Sequence, residues 1–287
     1  MKRIFLFVLT NILVVITISI LVQILGVGRY LTAQGIDYQS LAVLCLIWGM
    51  TGSLISLAIS RIMAKMTMGI TIVDRGHPEA AWLVLMVEDL ARKAGLPVTP
   101  EVGIYESPEV NAFATGPSRR RALVAFSTGL LRSMNRNEIE GVAGHEIAHI
   151  ANGDMVTMTL LQGVINAFVM FFARVIAWAI TQSSRDENRQ TSPYLITMLL
   201  EMALGLLGLI VVSAFSRHRE FRADRGGAKY AGKQDMIAAL ERLASNQRMY
   251  DAEPALAAFK ISGGPGALFA THPPLEKRIA ALRAAAI

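Results

Sequence analysis

Four long apolar stretches limit what this chain can fold into more than any other feature. They run over roughly residues 4–25, 40–60, 155–180 and 194–215. Each reaches the ~20 residues that a helix needs to cross the hydrocarbon core of a bilayer. Hydrophobic residues make up 53% of the 287, and the mean hydropathy is +0.44. A soluble domain is usually less apolar, and here the excess is gathered in the four blocks. The first block follows Lys2 and Arg3, as a signal peptide would. Its apolar run is longer than the roughly 7–15 residues of a signal core, and Gly26-Val27-Gly28 is a poor cleavage site. It therefore reads as a retained span.

Charge orients the first two blocks. Arg29 and Asp37 cancel in the loop between them, whereas Lys2 and Arg3 precede the pair and Arg61 and Lys65 follow it. Both ends of this hairpin are expected on the cytoplasmic side. The net charge of +6 suits either nucleic acid or an anionic membrane surface. No nucleic-acid motif is present, so the lipid bilayer is the expected partner. Arg119, Arg120 and Arg121 read as a solvated turn or a lipid-facing patch. The single cysteine, Cys45, lies in the second block. It excludes an internal disulfide and cannot build a thiolate metal site alone.

Between the blocks the chain reads as soluble. Residues 77–95 suggest an amphipathic helix with Pro78 near its start and Gly95-Leu96-Pro97 as its stop. Residues 101–106, 110–114 and 122–126 read as short strands of a small antiparallel sheet. Asn135, with Glu138 three residues on, marks a capping-box helix start. Further helices are expected over 234–246 and 273–286. The expected organisation is a membrane hairpin (1–65), a first soluble part (66–154), a second hairpin (155–215) and a second soluble part (216–287). In fold class this is a membrane α-helical protein with four apolar spans. It carries a mainly α-helical soluble domain that contains a small antiparallel β-sheet.

The sharpest chemical pattern is His145-Glu146-Ile147-Ala148-His149. Residues four apart on a helix share a face, so the two imidazoles can bind one zinc ion. Glu146 then sits at the neighbouring edge, where a carboxylate can take a proton from water attacking a peptide carbonyl. The flanking Val142, Ala143, Ile147 and Ile150 argue for burial, and buried histidines need a partner. A catalytic zinc wants a third protein ligand. Glu220 and Asp224, also four apart, are the candidates: one can bind metal while the other accepts the outer N–H of a ligating imidazole. His218 points elsewhere. Two apolar blocks separate His149 from Glu220, an even number of crossings, so these residues can meet on one side of a membrane.

In order along the chain come a starting membrane hairpin, Asn111-Ala112-Phe113-Ala114-Thr115-Gly116, the His145–His149 motif, Arg219-Glu220-Phe221-Arg222-Ala223-Asp224 and Thr271-His272-Pro273-Pro274. In this combination the chain resembles, over nearly its whole length, the HtpX family of bacterial inner-membrane zinc proteases. These are gluzincins related to the CAAX prenyl proteases, which implies that residues 66–154 and 216–287 together form a zincin-type catalytic domain. The resemblance implies one zinc ion on His145, His149 and Glu220, with Glu146 catalytic and Asp224 in support. It implies an endopeptidase of the inner membrane, its site facing the cytoplasm, that cleaves misfolded integral membrane proteins in stress quality control. It also implies that Asn111, Ala112 and Phe113 border the cleft, where an edge strand can pair with an extended substrate. The chain departs from the family at Arg225, where a small residue is usual; that change is not expected to remove zinc. His272 has three readings. It donates to the oxyanion, it occupies the open metal position in an idle enzyme, or it only starts the last helix, with Thr271 as cap. No sequence feature specifies an oligomeric state.

Three rival functions remain at this level: a metal-bound scaffold, a transporter and a prenyl-processing enzyme. Glu146 argues against the first. The second would need several polar groups along a path, and the blocks carry two clear charges, Arg174 and Glu201. These two are expected to pair across the second hairpin. The third is disfavoured by the small number of spans.

Overall fold

The computed structural model describes residues 31–32, 35–183, 192–251 and 270–286, with isolated positions between 12 and 24. The expected first span lies largely outside the described residues, as does most of the polar turn after the third. Among the described residues three helices, not four, are long and apolar enough to cross a membrane. The chain divides into two compact units: residues 1–56 with 158–212, and residues 57–157 with 213–287.

The first unit holds a two-stranded hairpin, β1 (Leu31–Thr32) and β2 (Gly35–Ile36), paired antiparallel. It also holds most of α1 (Tyr38–Met68), α5 (Asp154–Ser183) and the start of α6 (Pro193–Ala231). The most apolar stretches of these helices are left largely uncovered by protein. Trp48, Leu54, Phe168, Phe172, Met202 and Leu207 all stand exposed, which suits contact with acyl chains. Arg174 Nη1 meets Glu201 Oε1 at 2.6 Å, so the expected pair forms; Arg174 also donates to the Met170 carbonyl.

The second unit is built on a four-stranded sheet of β3 (Thr71–Val73), β4 (Glu101–Tyr105), β5 (Ala112–Thr115) and β6 (Leu123–Ser127). The spatial order is β3-β4-β6-β5, and β4 runs parallel to β6 while the other pairs are antiparallel. The sheet is therefore mixed, not purely antiparallel as expected. The reason lies in β6. All five of its residues are buried, the pattern of a strand covered on both faces. That continuous run takes the centre, next to β4, and leaves β5 at the edge. The short strand β3 is an addition to the three expected strands.

Helix α2 (Ala81–Lys93) lays Leu83, Val84, Val87, Leu90 and Ala91 into the core, the spacing of one helical face. His77 Nδ1 accepts from the Glu79 and Ala80 amides just before it. Helix α3 (Thr128–Ser133) leads to α4 (Arg136–Asn152). There the Asn135 side chain accepts from the Glu138 amide at 3.0 Å and Glu138 accepts from the Asn135 amide at 2.9 Å, a complete capping box. Gly153, left-handed at φ 71°, stops α4. Helix α6 runs unbroken to Ala231, where a span ending near residue 215 was expected. Helices α7 (Lys233–Asp251) and α8 (Leu275–Ala284) complete the unit, and Leu282 of α8 packs with Met236 and Leu240 of α7.

Candidate metal centre

Helix α4 is buried along almost its whole length. Ile139, Val142, Ala143, Ile147, Ala148 and Ile150 are core residues, and His145 and His149 are each only 8% exposed. On α6 from Ser213 onward the buried positions are Ser213, Ser216, Glu220, Ala223, Asp224, Gly227 and Ala228. Steps of three and four make this a single stripe, and Glu220 lies in its middle. The two helices meet at Gly144 and Gly227: a Cβ on Gly144 would lie 3.3 Å from the Gly227 Cα, and one on Gly227 would lie 3.0 Å from the His145 amide. Side chains at this crossing would push Glu220 away from the histidines.

The result is a convergence of three donor atoms. His145 Nε2 and His149 Nε2 are 3.1 Å apart. Glu220 Oε1 is 3.2 Å from His149 Nε2, and Glu220 Oε2 is 3.5 Å from His145 Nε2. Each ring is held from behind. His145 Nδ1 lies 2.9 Å from Asp224 Oδ1, and His149 Nδ1 lies 2.7 Å from Asp154 Oδ2. Carboxylates accept, so both Nδ1 atoms carry hydrogen and both Nε2 atoms face inward, where a neutral ring offers its lone pair. Glu220 Oε1 is buried without a hydrogen-bond donor. Such a cluster is satisfied only by positive charge. Ligand atoms about 2.0–2.1 Å from a tetrahedral ion lie about 3.3–3.4 Å from one another, close to the separations seen. His145, His149 and Glu220 therefore fit a divalent metal ion.

The electrostatics agree. Burial opposes the His145 imidazolium, but Asp224 and Glu220 outweigh it and lift His145 to about 9. His149 is raised as well: burial opposes its imidazolium, and Asp154 and Glu220 overcome it. Burial works against the Glu220 carboxylate, yet His145, His149 and His272 hold it well below the usual range.

Beside the donors lies a cleft of about 130 Å³ that takes in Asn111, Ala112, Glu146, His272 and Arg278. Glu146 is half-buried there, one residue beyond His145. Asn111, just before the edge strand β5, and Ala112, its first residue, line it. Phe113 instead turns to the other face, its ring 5.8 Å from that of Tyr105. His272 Nδ1 donates to Glu220 Oε2 at 2.9 Å. The last helix is capped at Pro274 without any side-chain bond, so Thr271 is not its N-cap. His218 is exposed, as is Arg225.

Two further residues of the centre carry no clear mark in the sequence. Asp154, fully buried, holds His149 and is itself bonded by Arg222. Arg278, 6% exposed, grips Asp224 with two bonds of 2.8 and 2.5 Å. An aspartate directly after the helix-stopping Gly153, at the mouth of an apolar helix, is the available signal for the first. Arg278 has none beyond lying six residues after His272.

The model of peptidase family M48 matches residues 77–286, the stretch that supplies every group of this cleft. A protein named Protease HtpX homolog from Methylacidiphilum infernorum is 53% identical over 98% of each chain. One of the same name from Bacillus subtilis is 50% identical over 99% of each. A crystal structure of S. mikatae Ste24p shares the fold with a TM-score of 0.61, at 19% identity over 85% of this chain and 58% of that one. Identity of this extent along the whole chain, added to the family match over residues 77–286, places the chain in peptidase family M48 as a multi-pass membrane metallopeptidase.

Proposed function

We propose that the chain is a zinc-dependent endopeptidase of the bacterial cytoplasmic membrane that cleaves misfolded or damaged integral membrane proteins from the cytoplasmic side. One observation carries this: two imidazoles and a carboxylate converge at 3.1–3.5 Å in a cleft shared with Glu146 and an edge strand. His145, His149 and Glu220 would hold the zinc, one ion per chain. That ion supplies Lewis-acid polarisation of the scissile carbonyl and activation of the attacking water. Glu146 takes the proton of that water and passes it to the leaving amine nitrogen. Asp224 and Asp154 keep the two imidazoles in the binding tautomer.

Strand β5 presents the substrate. Ser127 donates its amide to the Asn111 carbonyl, and alternation along an antiparallel pair then turns the main-chain groups of Ala112 and Ala114 away from β6. An extended peptide can add there as a further strand. Binding of this kind reads backbone more than side chains, which suits a protease that removes damaged proteins. His272 lines the same cleft and, through Glu220, the metal centre; donation to the oxyanion is the role its place supports. On this reading the chain divides functionally at residues 65, 154 and 215, and both basic ends of the first hairpin lie in the cytoplasm.

Casein cleavage by the full chain in detergent tests the reading. A zinc chelator should abolish cleavage, and added zinc should restore it. Cleavage that survives chelation would overturn the metal-dependent mechanism, and a zinc-loaded chain that cleaves nothing would leave a metal-bound scaffold as the better reading.

A further inference from the structure

Each candidate metal-binding imidazole has an aspartate behind it, and each aspartate has an arginine. The His149–Asp154 pair is completed by Arg222, whose side chain is 48% exposed. The His145–Asp224 pair is completed by Arg278, whose side chain is 7% exposed. The two arrangements are not equivalent. Arg222 reaches only the outer carboxylate. Arg278 extends further, with Nη1 3.4 Å from Glu220 Oε2. Its Nη2 also comes within 3.4 Å of His145 Nδ1. Both of those nitrogens carry hydrogen, so they share Asp224 Oδ1 rather than bond to each other.

We infer that Arg278 is the positioning residue of the metal centre: it fixes Asp224 and hence the His145 ring, and it holds Glu220 by Oε2 so that Oε1 alone faces the metal. The inference rests on the metal-centre reading above. Three features separate it from an ordinary buried ion pair. The guanidinium forks onto Asp224 through two nitrogens and turns a third toward a candidate ligand, a geometry that lysine cannot reproduce. Glu220 Oε2 is engaged twice, by His272 Nδ1 at 2.9 Å and by Arg278. Glu220 Oε1 is buried with no hydrogen-bond donor, the condition of an atom kept for a cation. A carboxylate bound through one oxygen leaves the fourth position of a tetrahedral site open for water and substrate. Arg278 rides on α8, which α7 anchors through Leu282. The final helix is thereby part of the metal centre, 133 residues from His145.

The test uses full-length protein in detergent, stripped of metal and reloaded. Zinc affinity is measured by competition with a chromophoric chelator, and the visible bands of the cobalt(II) form report coordination number. Arg278→Gln and Arg278→Lys should each bind zinc about 10–100-fold more weakly. Their cobalt bands should lose intensity as Glu220 becomes free to bind through both oxygens. Arg222→Gln should change the bands less. If Arg278→Gln does not fold, Arg278→Lys carries the test. Wild-type zinc affinity and cobalt bands in Arg278→Lys, with only a lower melting temperature, would reduce Arg278 to a buried ion pair. A wild-type protein that binds neither metal would overturn the proposed function and this inference together.

Discussion

His145 holds a proton strongly when no metal is present. Its value is raised from 6.5 to about 9. A group raised in this way stabilises the metal-free fold fully below about 6.5, and that stability is lost as the pH climbs through about 9. Metal binding reverses the requirement, because a ligating imidazole must be neutral. Zinc binding at pH 7 should therefore release at least about one proton per site, and affinity should fall as the pH drops. Calorimetric titration in two buffers of different ionisation enthalpy reads the release directly; identical heats in both would contradict it. Glu220→Ala should lower zinc affinity more than Asp224→Ala, since on the proposed reading the first removes a bond to the metal and the second only the grip on His145. The reverse order would mean that their roles are exchanged. The histidines and Glu146 are legible in the sequence because their pattern is complete within two turns of one helix. Asp154 and Arg278 are not, since a buried charge in the sequence looks like any solvated one until its partner is known.

At the scale of elements, the crossing of α4 and α6 sets the site. Gly144→Val should force the helices apart, at about 1–3 kcal/mol for overpacking. It should also weaken zinc binding, although the residue touches no metal. Lower stability with unchanged zinc affinity would show that the crossing does not position Glu220. Asn135→Ala should cost about 1 kcal/mol through loss of the capping box, read as a shift in the unfolding midpoint. This box is legible, since Asn135 and Glu138 stand three residues apart. The sheet order is not. Strand alternation reveals faces, whereas neighbour order depends on which strand is buried on both sides, and only the uninterrupted run of β6 carries that information. The edge position of β5 follows from the same order, so the place where substrate is proposed to pair becomes visible only with the fold.

Across the whole molecule, apolar length and charge alone divide the chain into membrane and non-membrane stretches. The unbroken course of α6 is hidden from such a reading, because its basic residues after position 215 look like a helix end. The pairing of Arg174 with Glu201 follows from the cost of a lone charge in hydrocarbon, about 2.5–3.5 kcal/mol on insertion scales. Glu201→Ala should therefore destabilise the protein in detergent more than the double change Glu201→Ala with Arg174→Ala. Additive losses would mean that the two charges act independently. On the proposed mechanism a metal held by His145, His149 and Glu220 works with Glu146 as the base. The most direct measurement is zinc content and peptide cleavage for wild type and Glu146→Gln, purified in parallel. Both proteins should carry one zinc per chain, and the variant should be slower by about 10²–10⁴-fold. Wild-type turnover by Glu146→Gln, or a wild-type protein free of zinc yet active, would contradict the account.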